Sequence, residues 1–493
     1  MFVWFVIVAW LTLNHVPWRD EVRSLSFANH GETLADMIQG VRGDGHPLLW
    51  YLLLRGGHGL IGSLALPVIA FLVALAAVAV LIWRSPFTPV IKTMIVLSHF
   101  ALWDYAVMAR NYGISMLLMF VFAAGYSRWR DRGYWLMIPL VLLANTNVHS
   151  TLLSWLLLAV WISDRYPGRS LRVRWIERMV MPTVVLLAIA SLACFLTVWP
   201  PANDAAVYQK HRDMVSIMKA LALPGYGFLV TSKFGLWAQL PLTAVLYASL
   251  FIVRNRVAYF LAAWVGLAGM SLFFTILHPG FERHIALWLL FLITLYWMDL
   301  DQNFFAPVEE RSGKATQWGK IGRVGLYLLL SAELIMAEVA IMAQFKYPHS
   351  RARDAATLIA QNPALADAII IADPDIMIEA LPYYAPRNSV YRIREDALGP
   401  LIRFTSIGAR LHISLDYVTD TAIRLHHSFH RPVVILMQRT PVPGQSMTYN
   451  TGYNWTTSYT PAMTRRFYAN TQLIGALGPA VTDESYSVYL LRD

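Results

Sequence analysis

Long apolar runs dominate this chain and restrict its fold more than any other feature. The first begins at Met1 and ends near Leu13. Others lie near 60–82, 90–107, 111–127, 134–148, 150–163, 179–199, 232–253, 257–277, 284–299 and 324–345. A helix that crosses a bilayer needs roughly 20 apolar residues, fewer or more where it thins the membrane or tilts. The runs therefore predict an α-helical polytopic membrane protein with about eleven transmembrane helices. Composition agrees: 57% of the residues are hydrophobic and 14% are charged, against roughly a quarter charged in soluble domains. Too few charges remain to clothe a soluble surface. A cytosolic enzyme, a secreted disulfide scaffold and a disordered regulator are excluded on that ground. Cys194 is the sole cysteine, so an intrachain disulfide cannot form and neither can a cysteine-based zinc site. The first run has no charged leader and no small-residue cleavage site, and is expected to stay as an anchor.

The net charge is +10. In a membrane protein that excess is read loop by loop, because Lys and Arg in short loops mark the cytoplasmic side; nucleic acid is not an expected partner. Arg128, Arg130 and Arg132 form one cluster. Arg165, Arg169, Arg172, Arg174 and Arg178 form a second, Arg254 and Arg256 a third, and Arg311, Lys314, Lys320 and Arg323 a fourth. With the N-terminus inside, all four face the cytoplasm. The loops at 14–58, 200–228 and 278–283 then face outward, as does the tail. The expected division is a membrane domain over 1–345 and an extracytoplasmic soluble α/β domain over 346–493. The tail shows helical periodicity over 350–361 and strand patterns at 368–372, 432–437 and 486–491. Pro, Gly, Asn and Thr crowd 440–462, which predicts a long loop.

Polar residues stand out in four places. The outer loop 14–58 is far longer than a connector needs. It opens on Trp18-Arg19-Asp20-Glu21 and closes on Gly45-His46-Pro47-Leu48, both at the boundary of an apolar run. Acid and histidine could converge there on one cavity, or the loop could be interfacial, with solvated charges and a Trp anchor. Arg110 opens another apolar run, with Asp104 six residues earlier. An arginine at membrane depth faces a cavity or an anion, unless it snorkels to headgroups. Arg283, in the outer turn His278 to His284, could bind phosphate, or pair with Glu282 or lipid. Asn145, Asn147 and His149 form a polar patch suited to hydrogen bonding between helices. Asp373-Pro374-Asp375 matches the Asp-x-Asp of metal–nucleotide sites, but after a strand it is expected to be a turn and helix cap.

These features resemble the polytopic glycosyltransferases that use lipid-linked sugars, the GT-C class. Within it the pattern is similar to the bacterial protein O-mannosyltransferases, the aminoarabinose transferases of lipid A and the rhizobial galacturonosyltransferases. Four elements carry the resemblance: Asp20-Glu21 opening the first outer loop, His46-Pro47-Leu48-Leu49-Trp50-Tyr51 closing it, Arg110-Asn111-Tyr112 opening a span, and Arg283 heading a late span. Two positions depart from the family pattern: Leu48 stands for a second proline, and Met108 for an acidic residue.

The resemblance implies a GT-C-like integral protein of the bacterial inner membrane. It would transfer a sugar from a polyprenyl-phosphate donor to a hydroxyl of a glycan, lipid or protein at the outer face, with inversion. A hydroxyl is a poor nucleophile at neutral pH, and a carboxylate can take its proton. Asp20 is the expected base, with Glu21 second or orienting the loop. The lipid-phosphate leaving group gains charge, which preorganised cations stabilise. His46, Arg110 and Arg283 are the expected donor-phosphate ligands; His46 would help most when protonated, which a nearby phosphate favours. Asp44, Asp104, Tyr112 and His149 are weaker substrate-binding candidates. No cofactor is required, although a divalent ion on Asp20, Glu21 or Asp44 would be compatible. The alternatives are a multi-pass transporter or flippase of a lipid-linked or polar substrate, which would favour repeats and charges at mid-bilayer, and a noncatalytic receptor.

Overall fold

The structure is a computed structural model that describes residues 1–42, 44–131, 134–165, 180–199, 213–230, 235–304, 317–403, 409–451 and 455–492. Six of its helical stretches are long and apolar enough to cross a membrane: Leu48–Arg84, Val180–Val198, Leu236–Val253, Val257–Ile276, Glu282–Gln302 and Gln317–Lys346. All the strands among the described residues fall after residue 368.

The N-terminal part begins with α1 (Phe2–Asn14), α2 (Arg19–Ala28), α3 (Leu34–Val41), α4 (Leu48–Ile61), α5 (Ala65–Arg84) and α6 (Pro89–Val96). The next helices are α7 (Tyr112–Trp129), α8 (Tyr134–Leu143), α9 (Val148–Arg165), α10 (Val180–Val198), α11 (Met214–Ala222) and α12 (Pro224–Phe228). Four more complete it: α13 (Leu236–Leu250), α14 (Val257–Ile276), α15 (Glu282–Phe304) and α16 (Gln317–Lys346). The centre is α15, whose Leu287, Leu290, Phe291, Leu295, Trp297 and Met298 are all buried. Between helices in lipid there is little hydrophobic gain, so close packing and hydrogen bonds hold the bundle. Gly322 of α16 shows the first: a Cβ there would collide with the Ile252 backbone nitrogen. The patch at 145–150 shows the second. Ser115 Oγ meets Thr146 Oγ1 at 2.7 Å and accepts from Asn147 Nδ2 at 3.0 Å and Ser150 Oγ at 2.9 Å, while Asn145 Nδ2 donates to Ala190 O at 3.0 Å.

Several boundaries in this part differ from the sequence expectation, and two have a clear local cause. The loop 14–58 ends at Pro47, because α4 starts at Leu48. Its polar stretch Arg55 to Gly59 stays helical because Arg55 has a use. Its guanidinium donates to the carbonyls of Ala28, His30, Gly31 and Glu32 at 2.8–3.2 Å, satisfying acceptors at and beyond the C-terminal end of α2. The run 90–107 is also broken: α6 is eight residues long and a π-helical turn spans Phe100–Asp104. There Phe100 N–H turns aside to donate to Glu333 Oε2 of α16 at 3.3 Å.

The C-terminal region begins with α17 (Ala352–Ala360), where helix was expected. A six-stranded sheet follows in the order β3-β2-β1-β5-β9-β8, with β1 (Ile369–Asp373), β2 (Ser389–Arg392), β3 (Ala397–Leu398), β5 (Val433–Met437), β8 (Thr471–Leu477) and β9 (Tyr486–Leu491). β1 pairs in parallel with β2 and β5, and the remaining pairs are antiparallel. The expected strands are therefore present as β1, β5 and β9. The expected loop 440–462 is not wholly a loop: β6 (Met447–Asn450) and β7 (Thr456–Tyr459) join β4 (His412–Ser414) in a second sheet. Pairing with β4 and β6 overrides the weak strand pattern of Thr456 to Tyr459. At Asp373-Pro374-Asp375 the chain turns from the end of β1 into a short 3-10 helix, Asp375–Ile378, as expected, but the expected helix cap is absent because both carboxylates are taken by distant partners. Asp373 accepts from Tyr449 Oη at 2.6 Å and Thr457 Oγ1 at 2.7 Å, and Asp375 from the Ile393 and Arg394 backbone amides at 3.2 and 2.9 Å. Both carboxyls are buried by these contacts.

The two ends of the bundle differ. One gathers the C-terminal ends of α7 and α9 and the start of α14. Asp164 accepts there from Tyr126 Oη at 3.0 Å, Tyr259 Oη at 2.6 Å and Gln302 Nε2 at 2.9 Å, with Arg256 3.6 Å away. Arg130 and Arg165 lie at the same end. The expected basic residues Arg132, Arg169, Arg172, Arg174, Arg178, Arg311 and Lys314 lie outside the described residues. The other end carries the starts of α7, α9 and α15, and the C-terminal region docks on it.

Candidate functional site

Asp20, Arg110 and Arg283 come from α2, the turn before α7 and the first turn of α15, and they meet at that second end. Arg110 Nη1 lies 3.0 Å from Asp20 Oδ2 and donates to the Asp20 carbonyl at 2.9 Å. Arg283 Nη2 approaches the same Oδ2 at 3.7 Å, beyond hydrogen-bond reach. Its Nε is buried without a partner. Asp20 keeps 27% of its side chain exposed, against 6% for Arg110 and 17% for Arg283. The group is thus an accessible carboxylate flanked by two cations, one fully engaged and one only partly.

Electrostatics follow from that geometry. Burial pushes the Asp20 carboxyl up, but the charges of Arg110, Arg283 and Arg19 overcome it and hold the pKa at about 2. His46 receives a hydrogen bond at Nε2 from Arg110 Nη2 at 3.0 Å, and its Nδ1 lies 3.8 Å from Asp44 Oδ2. Burial first, then the Arg110 charge, pushes His46 down to about 4. Without a phosphate beside it, His46 thus serves as an acceptor that orients Arg110, because an imidazolium next to that guanidinium would be repelled. The protonation expected of it belongs to the donor-bound state.

Glu21 takes the second of its two expected roles. It is fully buried. Oε2 accepts from His15 Nε2 at 2.8 Å and the Trp18 amide at 3.2 Å, and Oε1 from the Ala109 amide at 2.6 Å. It clips the start of α2 to the residue before Arg110, with no oxygen left for a substrate. Asp44 is likewise occupied, accepting from Arg23 Nε at 2.5 Å and from Tyr51 Oη. Asp20, Glu21 and Asp44 are each drawn to different partners, and they do not converge as a shared cation site.

Asp104 is buried behind the site, 3.3 Å from His99 Nδ1 and on the same π-helical turn whose Phe100 amide meets Glu333. Tyr112 hydrogen-bonds His284 Nε2 at 2.7 Å, and His284 Nδ1 accepts from the Phe281 amide at 3.1 Å. Tyr112 thus fixes the turn that presents Arg283. Tyr105 does the same by donating from Oη to the Arg283 carbonyl at 2.6 Å. His149 packs on the His284 ring, centroids 5.2 Å apart, with both ring nitrogens buried and without hydrogen-bond partners. It sits beside the Arg283 turn and its ring makes no hydrogen bond to Asn145 or Asn147.

Sequence reading missed Arg19, Arg23 and Glu379. Arg19 pairs with Asp483 at 2.6 Å, and its backbone amide donates to Glu484 Oε1 at 2.9 Å. Arg23 sits one helical turn after Asp20, a spacing that places both on neighbouring positions of α2. Glu379, in the C-terminal region, accepts from Arg23 Nη1. Nothing local in the sequence marks a partner 356 residues away. Comparison of the chain with protein-family models, with curated proteins and with solved structures finds no match.

Proposed function

We propose that the protein is a membrane glycosyltransferase of the GT-C type, which moves a sugar from a polyprenyl phosphate to an acceptor hydroxyl at the outer face of a bacterial inner membrane. The observation that carries this reading is the Asp20–Arg110–Arg283 group, a partly exposed carboxylate between two guanidiniums at one end of an apolar bundle. Guanidiniums match phosphate oxygens in a forked geometry. A base beside them is what attack by a hydroxyl on a glycosyl phosphate requires.

The acceptor oxygen bonds to the anomeric carbon while the bond from that carbon to the phosphate oxygen breaks. The bonding pair leaves with the lipid phosphate, whose added charge Arg283 and Arg110 stabilise. The hydroxyl proton passes to Asp20. A carboxylate with a pKa near 2 is a feeble base, and the donor itself relieves this. A phosphate that takes Arg283, and shares Arg110, withdraws the charges that depress Asp20. Basicity therefore rises only when the donor is in place.

The full topology belongs to this reading. Besides the six apolar stretches, α1, α7, α8, α9 and the broken segment around α6 occupy the other expected runs, which makes eleven spans in this proposal. The basic residues around Asp164 lie opposite the Asp20 end, as cytoplasmic and outer ends would. A reporter inserted after Asn255 should read cytoplasmic, and one after Arg492 extracytoplasmic. The same side for both would overturn the outer-face assignment.

A second reading, a proton-coupled transporter, draws on Glu333 and Asp104, ionisable groups buried within the bundle. One experiment separates the two. Lipids from cells lacking the protein should contain an accumulated polyprenyl-phosphate sugar. Supplied to the purified protein in liposomes with envelope acceptors, that lipid should lose its sugar to a new glycosidic bond. Movement of the intact lipid across the bilayer without bond formation would favour the transporter.

A further inference from the structure

We propose that Glu379 of the C-terminal region is a positioning residue for the phosphate site, acting through Arg23, Asp44 and His46 on Arg110. The inference rests on the glycosyltransferase reading and extends it to the role of the C-terminal region.

Each link but one is a hydrogen bond or an ion pair; between Asp44 and His46, two residues apart in the chain, the side chains only face each other and the backbone makes the connection. Glu379 Oε1 accepts from Arg23 Nη1. Arg23 Nε donates to Asp44 Oδ1 at 2.5 Å. Asp44 Oδ2 accepts from Tyr51 Oη and faces His46 Nδ1 at 3.8 Å. His46 Nε2 accepts from Arg110 Nη2, whose other nitrogen holds Asp20 Oδ2, both at 3.0 Å. The intermediate groups are shielded from water: Glu379 is 2%, Asp44 3% and Arg23 10% exposed in their side chains. A guanidinium buried between two carboxylates has its orientation set by both, because water is not there to replace either. Removing the charge at Glu379 loosens one side of the Arg23 fork, which also packs over the Phe27 ring, and shifts its pull toward Asp44. Asp44 then shifts, carrying with it His46 two residues on, and His46 shifts against Arg110.

Docking of the C-terminal region has other ties that do not lead to Asp44. Tyr384 Oη donates to the Pro17 carbonyl at 2.8 Å, and Arg353 Nη2 to the His15 carbonyl at 3.0 Å. These provide the control. A role in docking alone predicts similar consequences for Tyr384→Phe and Glu379→Gln. A role in positioning predicts an effect of Glu379 only, and one that does not multiply with that of Asp44.

The test uses the full-length protein in nanodiscs and undecaprenyl phosphate as the probe, with Kd as the readout and thermal unfolding alongside. Partners that orient metal-ligating side chains change affinity by about 10-fold to 100-fold, and a partner that orients a phosphate-binding guanidinium is expected to act on the same scale. Glu379→Gln and Asp44→Asn should each weaken binding by about that factor, and the double variant should be no weaker than the worse single one. Glu379→Asp, which keeps the charge, should recover part of the loss and serves in place of Glu379→Gln if that variant does not fold. Tyr384→Phe should bind within about twofold of wild type. Wild-type affinity in Glu379→Gln, or losses that multiply in the double variant, would overturn the positioning role and leave the glycosyltransferase reading standing. A wild-type protein that does not bind undecaprenyl phosphate would overturn both.

Discussion

Asp20→Asn is expected to lower turnover by about 100-fold to 10,000-fold while the donor still binds. The side chain keeps its shape and can still meet Arg110, but it cannot take the acceptor proton. The measurement is single-turnover transfer from the lipid-linked sugar that accumulates in cells lacking the protein, beside donor binding by the same preparation. Glu21→Gln serves as the contrast. Glu21 holds the Ala109 and Trp18 amides in a buried place, so its loss should appear as lower thermal stability and yield. The pH profile adds a signature. In the free protein Asp20 is held near 2, mainly against burial and by Arg110 and Arg283. Once the donor takes those charges, its pKa rises. The acid limb of kcat should therefore lie at higher pH than that of kcat/KM, because the first reports the donor complex and the second the free enzyme. Wild-type transfer by Asp20→Asn would remove the base from the mechanism.

Arg283→Ala should cost about 100-fold to 1,000-fold in transfer, the usual loss when a contact to developing transition-state charge is removed. Of the two arginines it is the cleaner test. Arg110 also donates to the Asp20 carbonyl, so its removal disturbs the base as well. Arg283 makes only a distant approach to Asp20, with its Nε unpaired. Arg283→Lys should recover part of the rate, since an ammonium supplies charge without the fork. Full activity in Arg283→Ala would mean that this arginine only anchors α15 to headgroups.

The helical layout was readable because apolar runs mark helices directly. The predicted run 257–277 became 257–276, and 179–199 became 180–198. Misreadings occurred where a distant partner decides the local state. Arg55 looks like a loop residue until the carbonyls at the end of α2 are placed around it. The run at 90–107 looks continuous, yet its backbone turns to meet Glu333. The site was legible in part for the same reason. Asp20, Arg110 and Arg283 stand at the edges of apolar runs, where a charge is conspicuous. Glu21 is beside Asp20 in sequence but points the other way, because successive helix positions differ by about 100° in direction. Asp104 was placed by sequence proximity to Arg110, whereas the π-helical turn carries it behind. The chain from Glu379 to His46 joins residues with no sequence pattern in common, and only the docked C-terminal region brings it together.

Glu21 also determines what can move. It fastens α2 to Ala109, and Tyr105 fastens the backbone of Arg283 to the same stretch of chain. The main-chain positions of Asp20, Arg110 and Arg283 thus form one truss. The group held least is the Arg283 guanidinium, which packs over the Phe281 ring and only approaches Asp20. In the reaction proposed above, a donor phosphate would be met by a swing of that one side chain from a fixed backbone, as in a caliper with one adjustable jaw.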